Sequence, residues 1–335
     1  MSGPAAATAA VKRELLVRHL EAWAPAALHR ARRATYLHAF ADADGGAVAE
    51  DALRVLAELT DLMRGRSLSM VVLAADAGAV SGRLGAVQAA LSLPAELSVH
   101  VVQGHPDDRL AVALKASGAR GAPLLAYLDA AAGDPPTVAT LAAVSAGRPA
   151  ELLLSLDPAA LGGGPRGGAV DTGAVLGYRG ELRDAGFPLV TMVEVVPGAA
   201  AAATELLVFG TSSGKSLEGF KDALWSVDEY AGAGYRDPAD PNRHLLDISL
   251  NPHPGPLRRE LLARVAQVGA ATVTELRGFT LTDTVFRASD ATRVLTALVA
   301  AGALTRDPEH GRLGGDVVIR PGTEPPEERP NGADH

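Results

Sequence analysis

The sequence predicts an α/β protein whose main sheet is largely parallel and covered by helices on both faces, followed by a small helical domain closed by a β-hairpin. Three observations predict it. Between residues 35 and 156, five short apolar runs alternate with helical segments. Those runs are apolar along their length, the pattern of strands buried on both faces. After residue 255 the rhythm changes to successive helices and then two short strands about a turn.

Residues 1–10 are small and predict a disordered start. Val11, Leu15, Leu16, His19, Leu20 and Trp23 fall at helical spacing and give an amphipathic helix over 11–23, with Pro25 marking a bend. A strand at 35–40 leads into a Gly/Asp-rich loop at 41–46 and a helix at 50–64. Strands at 69–74, 97–102, 123–128 and 151–156 then alternate with helices at 79–91, 107–117 and 135–146. Beyond a Gly-rich loop at 161–168, a helix carries Tyr178, Leu182 and Phe187. Strands at 189–196 and 205–210 follow, then a loop and helix reaching 230. The α/β domain so defined covers 11–236. A linker covers 237–255 and opens on the turn DPADPN. Three helical segments and a strand–turn–strand over 256–320 have the order of a winged helix, so a C-terminal winged-helix-like domain is expected there. Residues 321–335 are Pro-rich and acidic and read as a disordered tail.

The chain has 335 residues, room for one large domain and one small one. Aromatic residues are only 4% of it, so the core must rest on Leu and Val, with Ala letting helices approach closely. There is no cysteine, which excludes disulfides, thiolate zinc sites, iron–sulfur clusters and Cys nucleophiles. The nine histidines are dispersed, with no i, i+4 pair backed by carboxylates, so no metal site is predicted. No Gly-x-Ser-x-Gly elbow is present to support acyl hydrolysis. The amino terminus lacks a secretory leader, and no run approaches the ~20 apolar residues of a membrane span, so a cytoplasmic protein with no membrane partner is expected. The net charge of −8 gives no overall attraction to nucleic acid.

In open sheets of this kind ligands bind outside the carboxyl ends of the strands. The residues there are 38–46, Asp76, 104–107, 129–136 and Asp157. Several stretches resemble the three-Cys-motif partner (TcmP) family, whose genes lie beside those of radical-SAM-like proteins carrying three cysteines. The most specific is LLVFGT at 206–211 followed by GKSLEGFKDALWSVD at 214–228, above all Lys221 to residue 228. Ala22 and Trp23, then YLHAFA at 36–41, are similar to the family's opening, and TDTVF at 282–286 to its C-terminal module. The resemblance covers roughly residues 11–320. It implies a Rossmann-like, methyltransferase-type sheet, with S-adenosylmethionine as the cofactor if the loop after the first strand is competent. It also implies a three-Cys-motif protein as a partner.

That loop departs from the family's pattern, YIDGFAGPG. Asp has become His38, and the glycines have become Ala39, Asp42 and Asp44, around a retained Phe40. Glycine lets such a loop turn tightly and bring its backbone to the cofactor, so these changes predict impaired binding. Gly45 and Gly46 could supply a shifted turn. Asp76 could take a ribose or simply cap a helix. The family's Asp-Pro-Phe-Gly after the fourth strand is reduced to Asp129 followed by three alanines, leaving Asp129 as the one candidate catalytic group.

Two other motifs are weaker. Asp134 to Thr137 resembles an amino-methyltransferase motif but lacks its aromatic and reads better as a helix start. Gly210 to Ser216 resembles a phosphate loop with one residue too few before Gly214-Lys215-Ser216. In the C-terminal domain, nine Arg against seven acidic residues over 256–320 give +2, a mild basic contrast. Arg287 and Arg293 are the cations of its second strong helix, which otherwise suits protein contact better than nucleic acid.

Three functional readings follow. The favoured one is a catalytically reduced partner protein without cofactor, contacting its partner or nucleic acid through Lys221, Trp225, Arg287 and Arg293. The second is an active methyltransferase on nucleic acid. The third is a winged-helix nucleic-acid-binding regulator.

Overall fold

A computed structural model describes residues 4–196, 204–227, 234–240, 242–246 and 253–322. The chain divides into two compact units, Met1–Asn251 and Pro252–His335. Among the described residues no helix is long and apolar enough to cross a membrane.

The first unit opens with helix α1, Pro4–Arg30. The disordered start expected at 1–10 is therefore corrected from residue 4 onward. Ala has the highest helix propensity, and Thr8 and Val11 are buried, so this turn is held by packing as well. Pro25 does not end the helix, although it removes one backbone bond. Trp23, Ala24, Ala27 and Leu28 are buried on either side of it and carry the helix through.

The strands then alternate with helices: β1 Arg33–Ala39, α2 Ala47–Ala57, β2 Ser67–Ala74, α3 Ala77–Ala90, β3 Leu97–Gln103, α4 Pro106–Ala116, β4 Leu124–Ala130, α5 Val138–Ser145, β5 Ala150–Leu156, α6 Pro158–Leu161, α7 Thr172–Asp184, β6 Leu189–Val196, β7 Glu205–Thr211 and α8 Gly214–Ser226. Short strands β8, Gly234–Arg236, and β9, Leu245–Leu246, extend the sheet. Part of the expected linker is therefore sheet edge. Helix α5 begins three residues later than the sequence predicts: Thr137, not Asp134, caps it, and the Asp107 carboxylate accepts from the Thr137 backbone and hydroxyl.

The nine-stranded sheet has the order β3-β2-β1-β4-β5-β7-β6-β8-β9. Strands β1 to β5 are parallel, in the doubly wound order. Strand β7 is wedged antiparallel between β5 and β6, the methyltransferase-type variation. One face of the sheet packs Leu37, Leu124, Ala126, Leu128, Leu152 and Leu154 against Leu110 of α4, Leu141 of α5 and Leu182 of α7. The alternate residues of β1, β4, β5 and β7 face the other way, toward α1, and several are polar: His38, Asp129, Glu151, Ser155 and Glu205.

The second unit runs α9 Gly255–Val268, β10 Ala271–Thr272, α10 Val273–Asp283, α11 Ala288–Ala300, β11 Leu304–Asp307 and β12 Val318–Pro321. Its three strands pair antiparallel in the order β10-β12-β11. Leu261, Leu276, Leu295 and Ile319 are buried at its core. Thr272 and Glu275 form a reciprocal capping box on α10, a Thr-x-x-Glu signal legible in the sequence. Most of the expected tail, residues 323–335, lies outside the described residues.

Candidate functional site

The strand order reverses between β1 and β4, and the crevice at their carboxyl ends is where this fold places ligands. The loop after β1 builds one wall. Phe40 adopts the left-handed conformation, φ 62°, and a short 3-10 turn follows over Ala41–Asp44. For a residue with a Cβ this conformation costs roughly 1–2 kcal/mol. Packing offsets it: the Phe40 ring meets the His105 ring edge-on at 5.7 Å. Gly45 and Gly46 are also left-handed, φ 63° and 81°, so the shifted glycine turn exists. A Cβ on Gly46 would lie 3.2 Å from a Val80 methyl, so Gly46 lets the loop pack closely on α3.

Asp42 and Asp44 turn their charges onto the protein's own backbone. The Asp42 carboxylate accepts from Ala75 N–H, just beyond β2, at 3.1 Å. Asp44 accepts from Gly46 N–H at 2.9 Å and from Val48 N–H at 2.8 Å. The first N–H groups of a helix have no partner inside it and are the usual donors to a bound anion. Here the first-turn donor of α2 at Val48 is met by Asp44. A methyl donor's carboxylate would compete with Asp44 for it. Asp76 is exposed and caps α3, accepting from Gly78 N–H at 3.0 Å.

Asp129 stands on β4, facing α1. Lys12 donates to both its oxygens, at 3.0 and 2.9 Å, and lies 2.7 Å from Glu205 of β7. Tyr127 donates to Asp129 at 3.2 Å, and Ser155 donates to Glu205 at 2.8 Å. Burial alone would lower the Lys12 ammonium, but the carboxylates of Asp129 and Glu205 outweigh it and hold it above the ordinary lysine value. Tyr127 is pushed well above the usual phenol range, by burial and then by the charge of Asp129.

His38 completes this layer. It is buried, 3.1 Å from the Tyr36 hydroxyl, with its ring edge-on to Tyr127 at 4.9 Å. Burial lowers its pKa to about 4, against the opposing pull of Asp44 and Asp129. It is a neutral interior imidazole, not a cofactor ligand at the crevice mouth.

Sequence reasoning thus brought His38, Phe40, Asp42, Asp44, Gly45, Gly46 and Asp129 to one end of the sheet. It missed Lys12, Glu205, Ser155 and Tyr127. A lone lysine on an amphipathic helix reads as a solvated face, and its partner lies 117 residues away.

Two of the expected contact residues, Lys221 and Trp225, are corrected. Lys221 and Trp225 are 0% and 2% exposed, because α8 turns this face inward with Leu217, Phe220 and Leu224. Residue 228, which ended the family-like helix, lies outside the described residues. Arg287 is committed to the start of α11: its guanidinium donates to Asp290 at 2.9 and 3.0 Å, and only 13% of its side chain is exposed. Arg293 also reaches Asp290, at 3.4 Å. Among the described residues no cluster of three or more His, Cys, Asp or Glu could hold a metal ion.

No protein-family profile matches the chain, and no curated protein matches its sequence. Among solved structures it is similar to a spermidine synthase bound to the transition-state analogue AdoDATO, with TM-score 0.35 and 8% identity over 63% of this chain and 62% of that one. The spermidine synthase of Thermotoga maritima gives 0.32 and 7% over 56% and 55%. A putative SAM-dependent methyltransferase from Streptococcus mutans gives 0.32 and 11% over 52% and 44%. The chain therefore spans less than two thirds of each. At these scores the likenesses carry no weight, and the fold rests on the strand order above.

Proposed function

We propose that this chain is a methyltransferase-fold partner protein, with reduced or absent catalysis, of the kind found in the three-Cys-motif partner family. The observation that carries the reading is Asp44, whose carboxylate holds the Gly46 and Val48 N–H donors at the crevice. The Lys12–Asp129–Glu205 cluster supports it, because the one candidate catalytic carboxylate is already paired. The active-methyltransferase reading requires that carboxylate to orient an acceptor amine.

The second unit is read as a winged helix serving protein contact. Its helix–strand–helix–helix–strand–strand order supports this. So does the pairing of Arg287 and Arg293 with Asp290, which weakens the case for phosphate contact. The partner would be a three-Cys-motif protein, contacted through surfaces other than Lys221 and Trp225.

Calorimetry with S-adenosylmethionine tests the reading. No heat of binding is expected at millimolar cofactor. Micromolar binding, followed by methyl transfer to RNA or DNA, would overturn it.

A further inference from the structure

The second unit carries a cleft of its own. It lies between α10, the start of α11 and the turn that joins β11 to β12, and its volume is about 530 Å³. That volume is within the range of small-ligand sites.

The turn is held in place from two sides. Arg306 of β11 folds its guanidinium into it and donates to the carbonyls of Pro308 at 2.9 Å, Gly311 at 2.9 Å and Arg312 at 3.2 Å. Past the turn, the Gly315 carbonyl accepts from Thr274 N–H of α10 at 2.8 Å. A Cβ on Gly315 would fall 2.5 Å from the Thr274 hydroxyl, so glycine there lets the turn lie close on α10. The backbone that carries Arg312 is thus held against the helix that carries Arg277.

Four donor side chains line the cleft: Arg277 of α10, Ser289 and Thr292 of α11, and Arg312 of the turn. Ser289 and Thr292 stand three apart, on one face of their helix. Among the described residues no acidic side chain lines it. Many of the chain's other arginines are committed to carboxylates: Arg13 to Asp51, Arg83 to Glu50, Arg243 to Glu194 and, in this unit, Arg287 and Arg293 to Asp290. Among the described residues Arg277 and Arg312 have no such pair, and the hydroxyls of Ser289 and Thr292 have no hydrogen-bond partner.

These groups suit one kind of occupant. A guanidinium offers paired N–H donors that match the oxygens of a phosphate. Two of them balance a doubly charged phosphate monoester, and the two hydroxyls serve its remaining oxygens. A carboxylate has one charge and two oxygens, and leaves part of the set unmet. A phosphodiester backbone needs a run of cations along a surface, and the neighbouring Arg293 is drawn to Asp290.

We propose that this cleft binds a phosphate monoester, held by Arg277 and Arg312 and by the hydroxyls of Ser289 and Thr292. A free small molecule and a phosphorylated side chain of a partner present the same group to it. The site lies within the second unit, so it does not depend on whether S-adenosylmethionine binds the first.

The full chain is titrated by calorimetry, at low salt in a buffer free of phosphate. The probes are glycerol phosphate, a capped Ala-phosphoserine-Ala peptide, the same peptide with Glu in place of phosphoserine, and a short DNA duplex with hydroxyl ends. At least one monoester is expected to bind saturably, and about fivefold or more tightly than the Glu peptide. Glycerol phosphate binding as tightly as the phosphopeptide identifies a free small molecule, and tighter binding of the phosphopeptide identifies a partner's side chain. Arg277→Gln and Arg312→Gln, both at exposed positions, are each expected to weaken that binding about five- to tenfold and to leave the melting curve unchanged. No saturable binding at millimolar monoester, a Glu peptide that binds as tightly, a duplex that binds more tightly than both monoesters, or unchanged affinity in the two arginine variants each overturns the proposal.

Discussion

Lys12 and Asp129 are 117 residues apart in sequence, and the lysine ammonium sits within 3.0 Å of both carboxylate oxygens. With Glu205 at 2.7 Å the same ammonium serves two acids. The arrangement ties α1 to β4 and β7 across the layer between that helix and the sheet.

Replacing Lys12 by Met leaves two carboxylates mostly out of water with no counter-charge. Breaking such a pair from one side costs about 3 kcal/mol, far more than removing an exposed pair. Urea denaturation is expected to show that loss for Lys12→Met. Arg64→Ala, which breaks the exposed Arg64–Asp61 pair, is expected to change little. Equal effects would mean that the Lys12 cluster is solvated.

His38 makes the protein acid-sensitive. Its folded pKa of about 4 lies below the ordinary value of 6.5, so the unfolded chain binds the extra proton first. Stability from this group is intact above about pH 6.5 and falls as pH drops toward 4. Between pH 7 and pH 5 the loss is about 2 kcal/mol. His38→Gln is expected to flatten this part of the stability–pH curve, measured by urea denaturation at both values. An unchanged slope would assign the sensitivity to other groups.

The two loop glycines separate conformation from packing. Both have positive φ, so Ala at either costs roughly 1 kcal/mol for the left-handed backbone. At Gly45 a Cβ meets nothing within 4 Å, whereas at Gly46 it presses on Val80. Gly46→Ala is therefore expected to lower the melting temperature more than Gly45→Ala. The reverse order would place the close contact elsewhere.

The alternation of β1 to β5 with helices was legible because buried parallel strands are short, apolar and regularly spaced. The carboxyl-end residues were legible for the same reason, since Asp42, Asp76, Gly104, Asp129 and Asp157 follow the five apolar runs within two residues. Boundaries failed where packing overrode local signals. Pro25 reads as a break yet lies inside α1, and Asp134 reads as a cap while Thr137, held by Asp107 of α4, performs that role. The loss of glycine at Asp42 and Asp44 was visible as chemistry. Its outcome was not, because side chains that bond their own loop and side chains that repel a ligand are written with the same residues. Lys221 and Trp225 stand four apart on one helix face, and nothing local decides whether that face meets solvent or sheet.

Helix α1 leaves the ribosome well before the groups that receive it. Its Lys12 waits for β4, 117 residues on, and its His19 waits for β5, 132 residues on. Until those strands exist, the helix has two polar side chains with no partner. Such distant closures are slow steps in folding. The elements that follow at once, β1 and α2, also pack on α1, so its apolar face is met early and the pairing of its buried lysine and histidine is the part left to the end of the domain's synthesis.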